Sequence, residues 1–130
     1  MIGSAAMALH GAELHVGDVD VLMSRADAAR LLERHGRAPR AGSAHLRFRS
    51  DVFGRLECGG YTVEVMGGFH VRDGADWLEV RPQSRIAFRV GGVELFAPSV
   101  EELIDMCRLF GRPKDAERGI ILKELNDRSG

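Results

Sequence analysis

Cysteine, proline and aromatic residues are scarce in this chain, and charge of either sign is nearly balanced. The two cysteines, Cys58 and Cys107, stand far apart, which excludes a disulfide-stapled scaffold and the paired spacing of a zinc site. Both are expected to be reduced thiols. Four prolines in 130 residues exclude collagen-like and proline-rich linker compositions. A formal net charge of −1, from 18 basic and 19 acidic side chains, exerts no overall pull on nucleic acid and leaves room only for local basic patches. No apolar run reaches membrane-spanning length. The stretch from Met1 to His10 is apolar and small but lacks the basic lead-in of a signal peptide. A cytoplasmic protein without a membrane partner is expected.

Chemical signatures are missing too. None of the five histidines shows a His-Glu-x-x-His spacing; His10 and His15, the nearest pair, read as structural or surface residues rather than zinc ligands. No Gly-x-Ser-x-Gly elbow and no complete glycine-rich P-loop occur, which leaves hydrolase and P-loop kinase readings unsupported. What is present is an ordinary globular composition, 45% hydrophobic and 28% charged over 130 residues. That length fits one compact domain spanning 1–130.

The chain reads as alternating helices and strands. Residues 5–10, rich in Ala, Met and Leu, form a short helix with Ser4 as its N-cap and Gly11 after it. Val16 to Met23 reads as a strand with Asp18 and Asp20 on one face and Val19 and Val21 on the other. Ser24, with Asp27 three residues on, opens a helix whose apolar stripe is Ala28, Leu31 and Leu32 and whose end is Gly36. From His45 the period becomes two, through Leu46 and Phe48 and later Val63 and Val65 around Glu64. Gly59-Gly60 and Gly91-Gly92 have the composition of tight hairpin turns. Ser99 and Glu102 form a capping box for a helix through Phe110, and a last helix runs from about Asp115, its cap, to Leu125. Helices and strands share one core in an α+β or mixed α/β arrangement with an antiparallel or mixed sheet.

Two aspartates one residue apart on a strand project the same way, their Cα atoms about 7 Å apart. Such a pair is unfavourable unless a divalent cation neutralises it or both carboxylates point into water. In two-metal nucleotidyl transfer a third carboxylate from a neighbouring strand completes the cage, and Glu64 is the best candidate, with Glu57 a weaker rival. A solvated strand face explains Asp18 and Asp20 equally well, and Glu64 between two valines fits any half-exposed strand. Gly3-Ser4 before a short helix supplies close backbone approach and unpaired N–H groups for phosphate; a plain helix cap explains it too.

These residues resemble the nucleotidyltransferase superfamily with the DNA polymerase beta-type fold. The resemblance rests on Ile2-Gly3-Ser4, then Gly17-Asp18-Val19-Asp20-Val21, then Val63-Glu64-Val65. Ser99 to Ile104, leading into Gly111-Arg112-Pro113-Lys114-Asp115, is similar to the ending of small bacterial members of abortive-infection toxin-like and aminoglycoside-type groups. The resemblance implies a nucleotidyltransferase fold with a mixed or antiparallel sheet flanked by helices. It implies Gly3, Ser4 and Lys114 at the nucleotide, Asp18, Asp20 and Glu64 as metal ligands and catalytic carboxylates, and one or two magnesium ions. The implied reaction moves a nucleoside monophosphate, AMP from ATP in the simplest case, to an acceptor hydroxyl on a small molecule, a tRNA or a protein. The alternative is a non-catalytic nucleotide- or partner-binding protein, as in a toxin–antitoxin pair. Family members carry more chain before the glycine and a lysine where Cys107 and Arg108 stand here. With no second domain in view, a homodimer or a separately encoded partner is expected to shape the acceptor pocket.

Two groups of cations fit both function and surface. Arg34, Arg37, Arg40, Arg47 and Arg49 could receive an anion, though ordinary charge patterning favours a solvated face. Arg112 and Lys114 follow a helix C-terminus, where cations are favourable in any case. Trp77 lies in a strand-like stretch and is expected to pack rather than to stack on a base.

Overall fold

The computed structural model describes residues 1–42 and 45–129. Its chain gathers into two compact units, one of Gly17–Arg81 and one of Met1–Val16 with Pro82–Gly130.

The Gly17–Arg81 unit is a sheet with a helix on one face. Its elements are β1 (Asp18–Met23), α2 (Arg25–Arg34), β2 (Arg40–Gly42), β3 (Phe48–Cys58), β4 (Tyr61–Asp73) and β5 (Asp76–Glu79), with α1 (Gly3–Leu9) preceding them in the chain. Strand order is β1-β4-β3-β2, with β5 also on β4. β1 runs parallel to β4 and the other pairs are antiparallel, so the sheet is mixed. The expected hairpin turn joins β3 to β4: Gly59 and Gly60 adopt φ of +57° and +84°, the pair of positive values a tight two-residue turn needs. Each residue of β3 therefore pairs with the β4 residue equally far from that turn.

One face of this sheet is apolar because Val19, Val21, Val63, Val65, Val52 and Leu56 alternate onto it. Ala28 and Leu32 of α2 are buried against Leu56 and Val65, with Met23, Leu31, Val52 and Val63 packed around them. Burial of Leu32, Leu56 and Val65 contributes about 1.5–3 kcal/mol each. Glycines let the helix come close: a Cβ on Gly54 would stand 2.5 Å from Leu32 Cδ2, and one on Gly67 2.9 Å from Arg25 Cα.

The other unit holds α1 (Gly3–Leu9), the hairpin β6 (Ile86–Val90) and β7 (Val93–Ala97), α3 (Val100–Phe110) and α4 (Pro113–Ser129). Gly91 and Gly92 turn the hairpin at φ of +58° and +81°, as their composition predicts. α1 and α4 both pack on α3, which buries Leu103, Ile104, Met106 and Phe110. His10 Nε2 donates to Pro98 O at 2.7 Å and its ring meets Phe88 edge-on, a structural role as expected.

Several boundaries differ from the sequence reading. α1 begins at Gly3 rather than residue 5, its N-cap is Ile2 with no side-chain bond, and Ser4 lies inside the helix, buried. β1 begins at Asp18 rather than Val16, and β3 at Phe48 rather than His45. α4 begins at Pro113, a ring whose fixed φ suits a first helical position, and runs to Ser129. Asp115 thus lies inside the first turn rather than at the N-cap, and its carboxylate reaches back to accept Arg112 N at 3.1 Å and the Arg112 guanidinium at 2.6 and 3.0 Å.

The two capping boxes form only by half. Ser24 Oγ accepts Asp27 N and Ser99 Oγ accepts Glu102 N. The carboxylates are engaged elsewhere: Asp27 pairs with Arg30, and Glu102 takes the backbone N–H groups of Gln83 and Ser84 at 2.6 and 2.8 Å.

Candidate active site

The acidic face of the sheet is the one opposite α2. Alternation along β1 places Asp18 and Asp20 there, and register extends the placement across three strands. Asp20 stands beside Glu64, and Glu64 opposite Arg55; one step away, Asp18 stands beside Thr62, and Thr62 opposite Glu57. The two rows thus carry Asp20-Glu64-Arg55 and Asp18-Thr62-Glu57.

Within the rows, Arg55 Nε donates to Glu64 Oε1 at 3.2 Å, with the Glu64 side chain 20% exposed. Thr62 Oγ1 donates to Glu57 Oε1 at 2.9 Å, so the rival carboxylate Glu57 is tied to the strand between it and Asp18. Arg55 was missed in the sequence. The signal was available, because Arg55 and Glu64 lie equally far from the Gly59-Gly60 turn.

The three proposed metal ligands therefore share one face of one sheet, on adjacent strands. Among the described residues, no three His, Cys, Asp or Glu side chains already converge as a cage; Glu64 is turned to Arg55. The donor set still fits magnesium in kind, since hard carboxylate oxygens are its preferred protein ligands, and Asp20 and Glu64 are register neighbours.

Gly3, Ser4 and Lys114 belong to the other unit. Gly3 opens α1 at φ of +67°, a conformation for which glycine is the suited residue. Ser4 is 6% exposed. Lys114 lies exposed in the first turn of α4, and the neighbouring Arg112 is held by Asp115. Of the run of arginines, Arg34, Arg37, Arg40 and Arg47 are exposed, as a solvated face requires, whereas Arg49 is half-buried.

Cys58 and Cys107 are both free. Burial, and then the charge of Asp115, push the Cys107 thiol up, which disfavours the thiolate a nucleophile needs. Among the described residues no helix is long and apolar enough to cross a membrane.

No protein-family model matches the chain, and no curated protein matches it at a significant level. Among solved structures, it is similar to a Thermotoga maritima protein provisionally named a nucleotidyltransferase. The two share 24% identity with a TM-score of 0.68, over 97% of this chain and 80% of that one. A likeness of that extent covers both the acidic sheet and the helices, and with the mixed α+β architecture described above it establishes that this chain has the nucleotidyltransferase fold.

Proposed function

We propose that this protein is a magnesium-dependent nucleotidyltransferase that moves a nucleoside monophosphate, AMP from ATP in the simplest case, to an acceptor hydroxyl. The observation that carries the reading is the register of Asp20 with Glu64, two residues along from Asp18, on the face of the mixed sheet opposite α2. Asp18, Asp20 and Glu64 would hold the metal. Magnesium held there would supply charge neutralisation for the phosphates and for the departing pyrophosphate. Glu64 would also take the proton of an acceptor hydroxyl once Arg55 releases it. Gly3 and Ser4 would contact the triphosphate through backbone N–H groups, and Lys114 would add a cation. The acceptor is a small molecule, a tRNA or a protein in the cytoplasm, with a homodimer or a separately encoded partner completing its pocket.

A second reading, a non-catalytic nucleotide- or partner-binding protein such as a member of a toxin–antitoxin pair, is favoured by two observations. Glu64 is engaged by Arg55 and no three ligands converge among the described residues.

Each labelled nucleoside triphosphate, incubated with the protein, magnesium and a cell lysate, separates the two. Label passing to a lysate component, and lost in Asp20→Asn, supports transfer. Saturable nucleotide binding without any labelled product supports the second reading.

A further inference from the structure

Past Gly68 the β3–β4 ladder continues away from the carboxylate rows, by about 20 Å between Glu64 and His70 at the usual strand rise, and β5 joins it. Arg72 N donates to Arg47 O at 2.8 Å, which sets those two residues opposite each other, and Arg72 in turn pairs with Trp77. In the next row Arg49 pairs with His70, and His70 with Glu79. Alternation puts these six residues on one face of this end of the sheet, and Asp73 and Asp76 on the other.

Three guanidiniums and an imidazole thus meet a single carboxylate, and that carboxylate is committed elsewhere. Glu79 binds Arg81 at 2.7 Å and Arg25 at 3.5 Å. The hydrogen bond from Arg81, with the charges of Arg81 and Arg25, holds its carboxyl below the usual range.

Like charges facing each other across strands oppose folding, yet among the described residues Arg47, Arg49 and Arg72 form no ion pair. Arg49 Nε is buried with no acceptor, an arrangement that disfavours the folded state unless a ligand supplies one. The guanidiniums of Arg49 and Arg72 lie 4.6 and 5.6 Å from the centre of the Trp77 ring. His70 Nδ1 donates to Gly68 O at 2.7 Å, which leaves its Nε2 for another partner.

A planar indole ringed by uncompensated cations is the chemistry that receives a nucleobase and its flanking phosphates. An acidic peptide would use the charges and leave the ring without a role; a free phosphate would use neither the ring nor the spread of three arginines. We propose that this end of the sheet binds single-stranded nucleic acid, with a base stacked on Trp77 and backbone phosphates held by Arg47, Arg49 and Arg72. Binding here needs neither metal nor turnover, so it stands apart from the carboxylate chemistry.

Trp77 is the chain's single tryptophan, and its fluorescence reports directly on the site. The full chain is titrated in chelator with a mixed-sequence RNA of about 12 nucleotides, within the range single-strand binders occupy, and separately with inorganic phosphate and polyglutamate. Saturable quenching by the RNA, weakening as salt rises and absent with polyglutamate, is the expected result. Anisotropy of labelled RNA then compares variants checked for folding by circular dichroism. Trp77→Phe and Arg47→Gln should each weaken binding about tenfold, the usual worth of one base stack or charged contact, and Arg47→Gln should flatten the salt dependence. No quenching, equal quenching by polyglutamate or by phosphate, or wild-type RNA affinity in both variants overturns the proposal. Loss of nucleotidyl transfer with RNA binding intact leaves it standing.

Discussion

Arg55 Nε donates to Glu64 Oε1 across the β3–β4 pair, in the same row of the sheet where Glu64 stands beside Asp20. The Arg55 side chain is 64% exposed, so the pair contributes at most about 1 kcal/mol to folding. Its effect on cation binding is larger, because a guanidinium on Glu64 competes with any divalent ion for that carboxylate. Arg55→Gln is expected to leave the melting temperature in chelator nearly unchanged and to tighten magnesium binding severalfold, read as a larger magnesium-induced stabilisation. Weaker magnesium binding in the variant would make Arg55 a residue that positions Glu64 instead of one that competes for it.

Asp18 is the exposed first residue of β1, and its removal costs the core nothing. Asp18→Asn is expected to melt at or slightly above the wild-type temperature in chelator, since one like charge beside Asp20 is gone. The same variant should lose the magnesium-plus-nucleotide stabilisation and about 100-fold or more of any transfer activity, as the loss of a direct metal ligand exceeds that of an outer partner. A lower melting temperature in chelator with a wild-type ligand shift would assign Asp18 to scaffolding.

Much of this arrangement is legible in the sequence because two periods carry it. The Asp18-x-Asp20 alternation and the valines around Glu64 name the acidic face, and Gly59-Gly60 sets the pairing that brings Arg55 to Glu64. The parallel pairing of β1 with β4 is not legible, since it depends on a long crossover through α2, β2 and β3 rather than on a turn. α3 begins after Ser99 as its capping box predicts, whereas the start of α1 and the partners of the cap side chains are not legible. Glu102 left its own cap for Gln83 and Ser84, and Ser4 went into the interior while Ile2 took the cap position. Arg49 reads as one more surface arginine because the Trp77 ring that its guanidinium meets is distant in sequence.

Gly54 and Gly67 both let α2 approach the sheet, but what a methyl group would strike differs. At Gly54 it meets the end of the Leu32 side chain, and at Gly67 the Arg25 backbone at 2.9 Å and Ala28 Cβ at 3.0 Å. A side-chain end can rotate away, whereas a backbone atom moves only with its helix. Gly67→Ala is therefore expected to cost about 2–3 kcal/mol and Gly54→Ala about 1–2 kcal/mol, within the usual range for overpacking. Urea unfolding of the two variants checks the order, and a larger loss at Gly54 would mean that buried Leu32 has no alternative rotamer.

Glu102 ties the segment before β6 to α3. Its carboxylate accepts the backbone N–H of Gln83 and Ser84 and the Ser84 hydroxyl, while Ser84 Oγ accepts Ser99 N at 2.8 Å. Burial pushes the Glu102 carboxyl up, but the bonds from Ser84 and Gln83 outweigh it and hold the group below its ordinary value of 4.5. A carboxylate lowered on folding contributes stability that is present above its unfolded value and is lost as pH falls through its folded one. Glu102→Gln puts an amide of half the acceptor capacity, with donors of its own, against three donors. It is expected to cost about 0.5–1.5 kcal/mol near neutral pH, the net worth of an ordinary hydrogen bond, since Glu102 is only partly buried. Below the folded value the wild-type carboxyl is itself protonated, and the two proteins should converge. Urea unfolding of both across acid and neutral pH tests this: a gap that stays constant down to pH well below 4.5 would show that the contact acts through shape and not through charge.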